Sequence, residues 1–352
     1  MAKSALTRGH ALRNYIIKRL LLMVPTLIGI TLVTFVLTGF VPGGPIEQMR
    51  MRLAGGAAGE AGATARLTGP RFQIPDAQLT ILKEYFGFDK PIPVQYWNWL
   101  KHLFTLRLGD SFRYTMPVTD LIAQRLPISI YYGLITTLLT YGICIPLGIV
   151  KAIKHKTLID NSSSVAIFMG YAIPSYALGA VLLVLFAVKN DWFPLGGFVS
   201  EGFSQLTAWG KVKDLVWHSV LPLIAYMAGS FAVMTMLMKN SLIEHMSADY
   251  VKTALAKGLT WPRAVFVHAL RNSLIPIATS FGGNIALILT GSLFIERVFN
   301  IPGIGLLSFE AIQSRDYPVV LGLVAIESVL LLVGNLLSDL CVASVDPRVR
   351  FE

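Results

Sequence analysis

The sequence predicts an all-α membrane protein with six transmembrane helices and a small extracytoplasmic cap between the first two. Three observations carry that expectation. Of the 352 residues, 54% are hydrophobic and 14% charged, against about 25% charged in an ordinary soluble domain. Six apolar stretches are each long enough to cross roughly 30 Å of hydrocarbon, which takes about 20 helical residues. One long polar segment interrupts them, directly after the first.

Residues 1–14 are a basic leader and 15–41 the first span. LTRGHALRNYIIKRL resembles the start of a secretory signal, but the apolar run behind it is too long and lacks a small-residue cleavage site, so it should stay as an anchor. The cap segment, 42–127, begins VPGGP. Within it AGGAAGEAGATARLTGP, 54–70, is Gly- and Ala-rich without apolar periodicity and reads as a loop. The following DAQLTILKEYFGFDKPIPVQYWNWLKHLFTLRLGDSFRYTMPVTDLIAQRL offers short amphipathic helices and aromatic residues, the makings of a folded cap on the membrane surface. The core, 128–343, holds spans at 128–150, 162–188, 217–238, 274–295 and 317–343, and 344–352 is a tail. Pro25, Pro146, Pro174 and Pro222 lie within or at the start of apolar runs, where they kink helices for packing or for gating. No internal repeat of fixed period is present.

Short loops fix the orientation, because Lys and Arg are retained on the cytoplasmic side. The leader carries Lys3, Arg8, Arg13, Lys18 and Arg19, the second connection Lys151, Lys154 and Lys156, and the fourth Lys239, Lys252, Lys257, Arg263 and Arg271. Both termini are therefore expected in the cytoplasm of a multi-pass protein embedded in lipid. The net charge of +10 is explained by these flanks, and nucleic acid is discarded as a partner.

Catalytic chemistry is not visible. The histidines at 10, 102, 155, 218, 245 and 268 form no HExxH or similar ligand pair, and neither a GxSxG elbow nor a GxxxxGK[ST] phosphate loop occurs. The expectation is a transport subunit that is not an enzyme and binds no cofactor or metal of its own. A membrane enzyme is further disfavoured because the ionisable residues are not expected to cluster. Glu327 lies well inside a span, with Glu296 and Asp339 near helix ends; an intramembrane carboxylate either serves function or hydrogen-bonds a neighbouring helix or subunit. Cys144 and Cys341 lie in apolar runs and suggest neither a disulfide nor a metal.

Between the fourth and fifth spans, ADYVKTALAKGLTWPRAVFVHALRNSLIP reads as amphipathic helices of its own, over 247–272. At 100° per residue Tyr250, Val251, Ala254, Leu255, Gly258 and Leu259 share one face, opposite Asp249, Lys252, Thr253, Ala256, Lys257 and Thr260. Thr260 can cap a second short helix with Pro262 in its first turn, and Gly258 separates the two. Helix, glycine break and helix make an elbow suited either to a groove on a soluble partner or to the lipid interface. In the third span, GYAIPSY places Tyr171, Pro174, Ser175 and Tyr176 at a polar and aromatic kink, a candidate for the pathway as much as for helix packing.

DYVKTALAKGL resembles the EAA-type loop of the inner-membrane permeases of ABC importers, in the form used by their dipeptide and oligopeptide branch, with Asp249, Thr253 and Ala254 in place of a strict Glu-Ala-Ala. HALRNSLIP, GSLFIERVFNIPGIG, SRDYPVV, VDPRVRFE, FGFDKPIPVQYWNWL and GDSFRYTMPVTDLI extend the resemblance over nearly the whole chain. VPGGP, where many of the branch have PGDP, and the enlarged insertion behind it look like the microcin C and oligopeptide subgroup. The resemblance implies a type I ABC importer permease architecture in a bacterial inner membrane. Its implied partners are a homologous second permease, two cytoplasmic ATPases that use ATP and Mg, a periplasmic solute-binding protein and a peptide substrate. It makes Asp249, Tyr250, Thr253, Ala254, Leu255, Gly258 and Leu259 the ATPase-coupling residues. Dipeptides, glutathione or nickel are the alternative cargoes. An ATP-independent secondary carrier would show two-half symmetry or a series of membrane-embedded charges, and the sequence shows neither.

Overall fold

The computed structural model describes residues 2–40, 90–281 and 291–345. Its helices are α1 (Ala2–Phe40), α2 (Ile92–Phe104), α3 (Val118–Ile153), α4 (Leu158–Ala172), α5 (Ser175–Leu182), α6 (Ala208–Met246), α7 (Asp249–Ala256), α8 (Trp261–Ala264), α9 (Leu270–Ser273), α10 (Leu293–Val298), α11 (Ile304–Gln313) and α12 (Tyr317–Val345). Among the described residues no strand occurs; one isolated antiparallel bridge joins Asp110 and Pro117.

Among the described residues, four helices are long and apolar enough to cross a membrane, over Arg13–Phe40, Val118–Ile153, Ala208–Met246 and Tyr317–Ala343. A fifth candidate span is divided: α4 and the stretch Ser175–Val188 diverge by 94°. The sequence accounts for the break. The ring of a proline pushes the preceding residue out of helical conformation, and Ile173, before Pro174, is extended at φ −89° and ψ 124°. Pro25, Pro127, Pro146 and Pro222 instead lie inside continuous helices. The remaining expected span, 274–295, includes residues 282–290, which lie outside the described set, as does 41–89 of the expected cap.

The end of the expected cap segment is helical. Residues 118–127 are already the first turns of α3, because Val118, Leu121 and Ile122 bury a helical stripe directly after Pro117.

The chain forms two compact units. In the one made of 25–123 and 308–326, Tyr96 of α2 is buried, its ring 5.5 Å from that of Phe35. Its hydroxyl meets Thr31 Oγ1 at 2.9 Å and donates to the Ile28 carbonyl at 3.1 Å. The Asp316 carboxylate accepts from Ser111 Oγ and from the backbone N–H groups of Phe112 and Arg113 at 3.0 and 2.9 Å, which closes the 110–117 turn.

The other unit comprises 1–24, 124–307 and 327–352. One core cluster gathers Tyr132, Leu221, Ala225, Phe299 and Ile301. A second joins Cys144 of α3 and Met238 and Leu242 of α6 to Val251 and Ala254 of α7 and to Val265. At its centre α3 and α6 touch backbone to side chain: a Cβ on Gly148 would lie 2.6 Å from Met238 Cβ and 2.9 Å from the Thr235 carbonyl oxygen. Such overpacking costs about 1–3 kcal/mol. Gly148→Val is therefore expected to lower the thermal midpoint of the detergent-solubilised protein, whereas Gly229→Ala, where a Cβ meets nothing within 4 Å, should leave it unchanged or raise it.

Candidate coupling elbow and broken span

The elbow is built from α7, a glycine turn and α8. Helix α7 begins after Ala248 in extended conformation. Its first turn carries Asp249, whose exposed carboxylate takes a hydrogen bond from Lys252 Nζ at 2.8 Å. That bond holds the Asp249 carboxyl below the usual carboxylate range. Thr253 Oγ1 donates back to the Asp249 carbonyl at 2.9 Å, and Tyr250 Oη meets His245 Nδ1 at 3.0 Å.

The end of α7 explains the glycine. Gly258 N–H donates to the Leu255 carbonyl at 2.9 Å and Leu259 N–H to the Ala254 carbonyl at 3.2 Å, the two bonds of a Schellman C-cap. The motif needs a left-handed residue between them, and Gly258 has φ +90°. A Cβ there would touch nothing within 4 Å, so the constraint is on the backbone alone, worth about 1 kcal/mol or more. Thr260 stands at the N-cap of α8 with Pro262 in the first turn, as the sequence suggests. Its side chain makes no capping bond; its carbonyl accepts from Ala264 N–H at 2.9 Å. A π-helical turn, Val265–Ala269, links α8 to α9.

The apolar face of the elbow divides. Val251 and Ala254 turn inward and are 2% and 8% exposed, packed in the cluster with Met238 and Leu242 of α6, with Leu259 partly buried beside them. Tyr250, Leu255 and Trp261 turn outward, next to the exposed Thr253, Lys252 and Lys257. The chain's own core thus takes the middle of the face and leaves a rim of two aromatic rings, a leucine and two ammonium groups.

At the broken span, Tyr171, Pro174 and Tyr176 are exposed and Ser175 is half-buried. The Tyr176 ring lies 5.2 Å from that of Phe294 on α10. The four residues flank one backbone break, and the sequence pattern GYAIPSY had marked its position.

Two groups of ionisable residues were not legible in the sequence. Asp160, on the first turn of α4, is buried and ion-paired through Oδ1 with Lys151 Nζ at 3.1 Å and with Lys239 Nζ at 2.7 Å. The expectation that ionisable groups do not cluster is corrected here: each lysine reads in the sequence as one more basic flank of a span, and only folding brings them to one carboxylate. The second group centres on Glu296 of α10, 1% exposed. Its Oε2 accepts from Leu306 N–H at 2.6 Å and its Oε1 from Tyr226 Oη at 3.4 Å. The loop folds around this carboxylate so closely that a Cβ on Gly303 would lie 2.5 Å from Oε1. The signal in the sequence was the glycine spacing of NIPGIG behind a glutamate.

Taken together, the long apolar helices define a polytopic helical membrane protein. Residues 144–351 match the family described as binding-protein-dependent transport system inner membrane component, and the chain belongs to that family. Over 96% of its length it is 40% identical to the "Peptidoglycan transport system permease protein YejB" of Agrobacterium fabrum, covering 98% of that protein. It is 38% identical to the "Inner membrane ABC transporter permease protein YejB" of Escherichia coli O157:H7 and 33% identical to the "Oligopeptide transport system permease protein AppB" of Bacillus subtilis, over 96% of this chain and 99% of each relative.

The Glu296 loop gives a direct check. Gly303→Ala drives a methyl group into a buried carboxylate, which is expected to cost about 1–3 kcal/mol. It should lower the unfolding midpoint in detergent by more than Gly202→Ala, where a Cβ meets nothing within 4 Å.

Proposed function

We propose that this chain is the translocation-pathway permease subunit of an ATP-driven importer of peptides, oligopeptides or microcin C-like peptides, in a bacterial inner membrane. It pairs with a homologous permease, two cytoplasmic ATPases and a periplasmic solute-binding protein. The ATPases supply the ATP and Mg chemistry, and both termini of this chain face the cytoplasm. The observation that carries the reading is the elbow: a short helix closed by a Schellman glycine, seated by Val251 and Ala254 on α6, with Tyr250, Leu255 and Trp261 outward. A rigid knob with an aromatic rim suits a groove on a soluble partner. ATP binding then moves the elbow, and alternating access follows as a rigid-body rearrangement. Tyr171, Pro174, Ser175 and Tyr176, at the divided span, face the path of the peptide.

The relative named for oligopeptides supports peptide cargo. Two "Dipeptide transport system permease protein DppB" relatives, of Lactococcus lactis and Escherichia coli K12, are 35% and 32% identical, and they support dipeptides as a second reading. Uptake of labelled oligopeptide by proteoliposomes containing all subunits, with ATP inside and dipeptide or oligopeptide competitors outside, separates the two. Uptake without ATP, driven by a proton gradient alone, would overturn both.

Gly258 tests the elbow. Gly258→Val and Gly258→Asp should leave the protein inserted but weaken co-purification of the ATPases or uncouple their hydrolysis from uptake. Lys252→Ala should do much less, since its partner Asp249 is a surface charge. Wild-type coupling in both Gly258 variants would remove the elbow from the mechanism.

The cap segment is assigned to docking the binding protein or closing the outer side. Deleting 54–70 should leave transport largely intact. Replacing Tyr96, Trp97 and Trp99 by Ala should impair assembly or docking, because Tyr96 is buried against Phe35 and Thr31 and Trp99 stacks on it. Equal losses from the two changes, measured as binding-protein retention, would contradict that division.

A further inference from the structure

We infer that Asp160, held between Lys151 and Lys239, is a positioning residue that makes helix α4 of the divided span follow the movement of the coupling elbow. The inference rests on the coupling role proposed above.

The contacts favour a mechanical link over a local ion pair. Lys151, at the end of α3, is wholly buried, and its ammonium is spent entirely on the first turns of α4. It donates to the Asp160 carbonyl at 2.8 Å and to Ser163 Oγ and Ser164 Oγ at 2.7 and 2.8 Å, besides its ion pair with the Asp160 carboxylate. Convergent bonds of this kind hold α4 against α3 in one register. The carboxylate itself takes Lys239 at 2.7 and 2.9 Å, the backbone N–H of Lys156 at 3.1 Å and His155 Nδ1 at 3.3 Å. Lys239 belongs to α6, next to Met238, whose side chain packs in the core that seats Val251 and Ala254 of the elbow. The close approach of Gly148 to Met238 fastens α3 to the same place. Elbow, α6, α3 and the start of α4 are thereby one packed body. Helix α4 leads from it to the 94° break, where a displacement at one end can change the angle between the two halves.

Charge decides which variant is informative. Two ammonium groups face one carboxylate, so removing Lys239 leaves Lys151 and Asp160 as a balanced buried pair, whereas removing Asp160 leaves two buried cations unpaired. Lys239→Gln should therefore assemble while losing the link between α6 and α4.

The experiment is the complete importer in proteoliposomes, with its binding protein and a labelled oligopeptide pool as the probe. It measures assembled complex, ATP hydrolysed and peptide imported. Lys239→Gln should keep assembly and ATP hydrolysis while peptide imported per ATP falls about tenfold, the size of an ordinary coupling between sites. Lys239→Arg, which can still reach the carboxylate with two donors, should restore the ratio. If Lys239→Gln fails to assemble, Lys239→Met, which also leaves Lys151 and Asp160 as a balanced pair, replaces it and should show the same fall. A wild-type ratio in Lys239→Gln overturns this inference and leaves the proposed function standing. Loss of assembly in both variants, in step with the loss of import, also overturns it and makes the cluster a plain determinant of folding. ATP-independent import by the wild type would overturn the proposed function, and the inference with it.

Discussion

Every break in a helix that crosses or borders the membrane frees backbone N–H groups where water cannot serve them, and each such group costs several kcal/mol if left unpaired. Three of the described connections place a buried carboxylate against freed backbone N–H groups. Asp160 accepts from Lys156 N–H in the α3–α4 connection. Glu296 accepts from Leu306 N–H at the start of α11. Asp316, in its own unit, accepts from Phe112 and Arg113 N–H. A carboxylate has four acceptor positions and can serve a turn that offers several donors at once. These three turns are thereby tied to carboxylates, and Lys156 keeps a left-handed φ of 63° within one of them.

The three sites differ in how the charge is neutralised, and that difference separates a carboxylate that shapes one loop from one that ties helices together. Glu296 sits among backbone N–H donors and a tyrosine hydroxyl, inside a loop too tight to admit a Cβ at Gly303. Nothing in that arrangement offers a second position. Asp160 instead holds side chains from two other helices, so its contacts set the relation between elements as well as the shape of a turn.

Most of the architecture is legible in the sequence because lipid makes hydrophobicity a direct measure of span. Hydropathy marks the long helices, and the Pro174 rule marks the broken one. The elbow is legible because amphipathic period and glycine punctuation agree: Gly258 stands where the left-handed C-cap falls. Other features depend on partners far apart in the chain. Pro127 and Pro146 sit in an unbroken α3, since neighbouring contacts can re-satisfy a freed carbonyl. The inward turn of Val251 and Ala254 follows from Met238 and Leu242 of α6, which no local period shows. Lys151, Asp160 and Lys239 are invisible for a further reason, because a lysine at the end of a span is expected on topological grounds alone.

That last point bears on how an importer subunit of this kind can transmit force. An apolar contact between helices in lipid is weakly directional, since the tails are as apolar as leucine and side chains can slide. Ion pairs with hydrogen-bonded lysines fix a register instead, at a desolvation cost that only several convergent bonds can offset. The structure places the ion cluster of Lys151, Asp160 and Lys239 between α3, α4 and α6, beside the core that seats α7, and the break in the divided span falls at the extended Ile173, flanked by the exposed Tyr171 and Tyr176. Stiffness near the elbow and an angular joint at Ile173 and Pro174 are complementary: a lever moves its far end only if its near end does not yield.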